Sequence, residues 1–115
     1  MNVNDRNRAK VALLDKLKAE NVFWSYDPDD ISPESISDDR LIAEVMRHLD
    51  MDEIDLLLRV YPLAKVKKAW QRELLPEGPY LHTLNRFFAW YYFGIKNPDS
   101  YLKSMETRRL NRLSI

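Results

Sequence analysis

The 115-residue chain has no cysteine and only two glycines, Gly78 and Gly94. Without cysteine there are no disulfides, thiolate metal ligands, thiol nucleophiles or iron–sulfur clusters. With two isolated glycines there is no phosphate-cradling loop of the kind nucleotide enzymes build from several. ATP and NAD chemistry are therefore not expected, and neither is any cofactor. Long apolar runs are missing too. The strongest, Phe87 to Ile95, is too short to cross a bilayer, and the first residues are charged where a signal peptide would need an apolar core. The expected location is cytoplasmic. Strand-like alternation, internal repeats and low-complexity tracts are also absent.

A net charge of either sign is lacking, with 18 basic and 18 acidic side chains. Their order along the chain is uneven. Residues 1–20 carry five basic and three acidic groups, residues 21–60 three and eleven, and residues 61–115 ten and four. A surface attractive to nucleic acid all over is not expected from such segregation. It suits acidic and basic elements that meet within the chain or across a partner.

What is present is 45% hydrophobic and 31% charged, a globular balance at the size of one domain. Ala9, Ala12, Leu13 and Leu17 lie at helical spacing and predict a helix over 8–20 that ends near Asn21. An irregular loop follows, because Asp27-Pro28 and Ser32-Pro33 each set a residue before proline, where helical geometry is disfavoured. Ser37-Asp38-Asp39 offers a capping hydroxyl and then acids at the positive end of a helix dipole. The face of that helix is Leu41, Ile42, Val45, Met46 and Leu49. Asp50 with Glu53 restarts a helix as a capping-box variant, its face being Met51, Ile54, Leu57, Leu58 and Tyr61.

Pro62 stops this helix and opens the next, with Leu63, Val66, Ala69, Trp70 and Leu74 on its face. Pro76-Glu77-Gly78-Pro79 is a break. A helix over Tyr80 to Ile95 then carries Leu81, Leu84, Phe88, Tyr91 and Ile95 on one stripe, with Phe87, Trp90 and Phe93 pointing elsewhere. A helix apolar nearly all round is either buried centrally or forms an interface. Gly94 suits its C-terminal turn, and Asn97-Pro98-Asp99 opens a last helix. Arg109 and Arg112 interrupt that helix's apolar stripe, so its end is expected to leave the core. The reading is all-α: a compact bundle of about six short helices in a single domain over residues 1–115.

Residues able to carry chemistry are scattered. Asp27, Asp29 and Asp30 resemble a cation loop only superficially: counted from Asp27, an EF-hand needs glycine sixth and glutamate twelfth, where Ser32 and Asp38 stand. They read as turn and capping residues. His48 and His82, the only histidines, lack the spacing that pairs metal ligands, and Ser25 has no histidine near it in sequence. No catalytic residue, metal or enzymatic activity is expected.

Two binding surfaces are candidates. The run Phe23-Trp24-Ser25-Tyr26-Asp27 concentrates three rings outside a periodic helix, and large rings need covering. If that loop is exposed, Phe23, Trp24 and Tyr26 are the partner contacts; if the 80–95 helix has an uncovered side, Trp90 and Phe93 are. The alternative is a helix-turn-helix in which Lys65, Lys68 and Arg72, beside Lys67 and Gln71, face nucleic acid. Asp50, Asp52, Glu53 and Asp55 on the preceding helix would then lie near phosphates, which counts against it. Arg108, Arg109 and Arg112 form a further basic patch, which the helix dipole alone accounts for.

Phe23-Trp24-Ser25-Tyr26-Asp27, the helix Leu41-Ile42-Ala43-Glu44-Val45-Met46, the segment Ile54 to Tyr61, Leu84-Asn85 and Tyr92-Phe93-Gly94-Ile95 together resemble a family of small uncharacterised bacterial proteins. These are common in Bacteroidetes and are often encoded beside abortive-infection nucleotidyltransferase toxins. The likeness spans roughly residues 22–98 and leaves the N-terminal helix outside. The chain departs from that family where Leu49-Asp50 and Tyr61-Pro62 replace its turn glycines. The resemblance implies an antitoxin-like partner of such a toxin and carries no catalytic residues. The expected function is a non-enzymatic protein-interaction module, with a second copy of the chain as a further candidate partner.

Overall fold

A computed structural model describes residues 3–23 and 31–113. The protein is all-α: helices α1 (Val3–Ala19), α2 (Asp38–His48), α3 (Met51–Val60), α4 (Leu63–Glu73), α5 (His82–Tyr91) and α6 (Pro98–Leu113), with a 3₁₀ segment, Leu75–Leu81, ahead of α5. No strand occurs among the described residues. The helices fall into two compact units, one running to Trp70 and one from Gln71.

In the first unit α1 packs on α2 and α3, and these two pack on each other. Leu13, Leu14 and Leu17 of α1, Leu41, Ile42, Val45 and Met46 of α2, and Ile54 and Leu57 of α3 are buried. Each fully buried aliphatic side chain of this kind stabilises by about 1.5–3 kcal/mol. The α1 stripe turns slightly from the expected one, since Leu14 is buried and Ala12 is exposed. The helix also starts earlier, at Val3. It ends as the spacing predicts: Asn21 takes a left-handed φ of 62°, and the Val22 N–H returns to the Leu17 carbonyl at 3.1 Å.

The caps form where the sequence puts them. Ser37 Oγ accepts the Arg40 N–H at 3.2 Å to start α2. Glu53 reaches back to accept the Asp50 N–H at 3.1 Å, the return half of the capping box of α3. The same carboxylate receives Lys16 Nζ at 2.8 Å, so one side chain both caps α3 and ties it to α1. That contact draws the Glu53 carboxyl below its ordinary pKa, chiefly through the lysine's hydrogen bond.

A second polar knot holds the start of α2. Tyr61, buried at the end of α3, donates its hydroxyl to Asp38 Oδ1 at 2.8 Å. Lys10 of α1 lies 3.5 Å from that oxygen and donates to the Ile36 carbonyl at 2.9 Å. Arg6 stacks over the Tyr61 ring at 5.5 Å. Burial, and then the hydrogen bond to Asp38, push the Tyr61 hydroxyl above its ordinary pKa. A phenol held neutral in this way ties α3 to α2 and offers no base.

In the second unit the 3₁₀ segment, α5 and α6 pack on one another. The helix expected over Tyr80–Ile95 is shorter, because residues 75–81 form short 3₁₀ turns on either side of a non-helical kink at Gly78, φ 56° and ψ −121°, next to Pro79. It also closes sooner. Phe93 N–H reaches the Phe88 carbonyl and Ile95 N–H that of Ala89, with Gly94 at φ 63°, a conformation that suits glycine. Asn97 Oδ1 accepts the Ser100 N–H at 3.1 Å and starts α6. No residue of α6 is buried: the exposure expected of its end extends to its start, where Tyr101, Leu102 and Met105 are only half-buried. No helix among the described residues is long and apolar enough to cross a membrane.

Candidate interaction surface

Helix α5 has two unlike faces. Asn85, Phe88 and Ala89 are buried. Thr83, Arg86, Phe87 and Trp90 recur at spacings of three and four and so fall on the opposite side of the helix, at 100° per residue. A buried asparagine on an apolar face needs a partner, and its Nδ2 donates to the Leu74 carbonyl at 3.2 Å. That bond and the burial of Phe88 and Ala89 lie on the inner side of α5, and the Thr83–Trp90 stripe lies opposite.

The outward rings are Trp90, 62% exposed, and Tyr91, 49% exposed. An isolated exposed aromatic is unremarkable, but these two belong to a connected set. Trp90 and Tyr91 have centroids 6.1 Å apart, Tyr91 meets Phe87 at 5.2 Å and Tyr92 at 4.9 Å, and Tyr92 meets the buried Phe88 at 5.8 Å. Ring pairs at these separations contribute about 0.5–1.5 kcal/mol each beyond burial. The exposed rings are thus held by contacts running back to the core of their unit.

Beside this stripe lies an open groove of about 340 Å³, lined by Thr83, Arg86, Phe87, Trp90 and Pro98. Pro98 comes from the first turn of α6. The rim carries charge: Arg86 Nε sits 3.2 Å from Asp99 Oδ1, and His82 Nε2 lies 4.0 Å from the same oxygen. The arginine and the aspartate are both well exposed, so the pair contributes little to stability.

The other candidates fare differently. Phe23 is buried, 5% exposed, with the Arg40 guanidinium 5.6 Å from its ring centre; it is a core residue, and its role as an exposed partner contact is corrected accordingly. Trp24 and Tyr26, like Ser25, Asp27, Asp29 and Asp30, lie outside the described residues. Phe93 is half-buried in the turn after α5. Trp90 is thus the candidate ring with an uncovered side; Tyr91, expected on the Leu84–Phe88 stripe, is 49% exposed beside it, and Arg86 and Phe87 join it in the groove wall. Their signal was the second stripe of the helix, offset from the Leu84–Phe88 stripe.

On α4, Lys68 and Arg72 are exposed, whereas Lys65 is half-buried. Its Nζ stands 4.0 Å from both Asp38 Oδ2 and Asp39 Oδ1, so its charge is met within the first unit. His48 Nε2 lies 3.5 Å from Glu44 Oε2, a carboxylate that also pairs with Arg47. Neither histidine lines the groove. Among the described residues no group of three or more His, Asp or Glu side chains is placed to hold a metal.

No family model, curated protein or solved structure matches the chain.

Proposed function

We propose that the chain is a protein-interaction module without chemistry of its own, which binds its partner through the outer face of α5. The partner class is the one its family likeness implies, a toxin-type nucleotidyltransferase encoded nearby, with this chain as the antitoxin-like member in phage defence. The observation that carries the reading is Trp90, 62% exposed at the edge of a groove with an arginine in its wall. Trp, Tyr and Arg are the residues most enriched among binding hot spots, where truncation costs about 2 kcal/mol or more. The ring contacts behind Trp90 hold it in place beforehand, which lowers the ordering cost of association.

The DNA-binding alternative would rest on the α4 face of Lys65, Lys68 and Arg72, of which Lys65 stands 4.0 Å from two aspartates. Copurification with the product of an adjacent gene separates the two readings. The interaction reading expects a complex that Trp90→Ala breaks while leaving the fold intact. A nucleic-acid complex with a steep salt dependence, lost on replacing Lys65, Lys68 and Arg72 and untouched by Trp90→Ala, overturns it.

A further inference from the structure

The size and charge of the α5 groove narrow what it can hold. From Thr83 to Trp90 the stripe rises about 10 Å along the helix, at about 1.5 Å per residue, which roughly three residues of extended chain would span. The rings it offers are modest in area. The rings lining it are Trp90 and the half-buried Phe87, and Trp90, 62% exposed, presents on the order of 150 Å², given about 150–250 Å² for a whole aromatic side chain. A stable protein–protein interface needs roughly 800 Å² from each side. The apolar area therefore suits one inserted side chain better than a second copy of the chain.

Charge gives the sign of the occupant. Among the described residues Arg86 is the ionisable side chain lining the groove, with Asp99 and His82 at the rim, and its contact with Asp99 at 3.2 Å is solvent-exposed on both sides. Such a pair exchanges partners at small cost, so an incoming carboxylate can take the guanidinium bidentately. The surrounding unit reinforces this. From residue 71 onward the chain has seven basic and four acidic side chains, net +3, against eleven and fourteen, net −3, up to residue 70.

We infer that the groove takes a short, extended, acidic segment of a partner protein, with one large apolar side chain seated between Phe87 and Trp90 and a carboxylate on Arg86. This rests on the interaction reading above and names the part of the partner that is recognised.

The test uses random heptapeptides displayed on phage, selected on the full chain and in parallel on Trp90→Ala. The expected outcome is enrichment, on the wild type only, of peptides with net negative charge and a large apolar residue. A synthetic peptide of the leading sequence should bind the wild type and lose roughly tenfold or more in affinity to Trp90→Ala and to Arg86→Glu. Basic consensus peptides overturn the inference while leaving α5 as the binding face. So does a solution mass showing a dimer that Trp90→Ala turns into a monomer. Absence of any Trp90-dependent peptide also overturns it, and the copurification experiment then decides separately whether the interaction reading stands. Urea unfolding of both variants confirms that they are folded.

Discussion

Replacing Tyr61 by phenylalanine removes one hydroxyl and almost no volume, and thereby isolates the knot that joins α2 to α3. The lost bond is 2.8 Å long and ends on a carboxylate. Hydrogen bonds to charged groups contribute about 1.5–3 kcal/mol. The Asp38 side chain is 34% exposed and keeps Lys10 at 3.5 Å, so water and the lysine recover part of this, and the expected destabilisation is about 1–2 kcal/mol at neutral pH. The pH dependence supplies a sharper signature. Tyr61 holds its proton more tightly folded than unfolded, from an ordinary value of 10.0. Its contribution is therefore complete below that value and is lost as pH rises above it through the folded pKa. Urea unfolding followed by far-UV circular dichroism, repeated from neutral pH to about pH 11.5, should show wild-type stability falling more steeply than that of Tyr61→Phe. The difference approaches about 1.4 kcal/mol per pH unit for one proton. Parallel pH profiles, or a variant as stable as wild type at neutral pH, would refute the reasoning.

Glu53→Gln keeps an acceptor for the Asp50 amide but removes the charge that meets Lys16. Because the Glu53 carboxyl is held below its ordinary value of 4.5, its contribution is present above that pH and fades as pH falls below it. The wild type should thus lose more stability than the variant in an acid titration. Asn85→Leu removes the bond to the Leu74 carbonyl, which keeps the Glu77 N–H at 3.1 Å, so the expected cost in urea unfolding is about 0.5–1.5 kcal/mol. Gly94→Ala meets no atom within 4 Å, so its expected cost of about 1–2 kcal/mol comes from the left-handed backbone alone. Trp90→Ala gives up the contact with Tyr91 and should cost about 0.5–1.5 kcal/mol in stability, leaving the chain folded while abolishing partner binding, a separation read from paired unfolding and copurification.

Features governed by neighbouring residues were legible in the sequence. Ser37, Asp50 with Glu53, and Asn97-Pro98 announce their helices because a cap is made within three residues of itself. The stripes of α2 and α3 follow from periodicity, although Met51, 42% exposed, and Leu63, 51% exposed, lie at helix starts where the packing partner runs out. What could not be read was decided across long separations. Tyr61 finds Asp38 23 residues away, and Asn85 is buried because it meets the Leu74 carbonyl. The 80–95 helix misled for a related reason. Its apolar residues nearly encircle it, so periodicity put Tyr91 on the same stripe as Phe88, whereas the buried side is Asn85, Phe88 and Ala89 and Tyr91 is 49% exposed. Phe23 likewise looks the same from sequence whether it packs inward or presents outward.

Oxidative footprinting of the chain, free and bound to the product of its neighbouring gene, tests the central claim most directly. The account predicts strong modification of Trp90 and Tyr91 in the free protein and protection of both, with Phe87, in the complex, while Tyr80, 94% exposed, stays reactive. A complex in which Trp90 remains as reactive as in the free chain would contradict it.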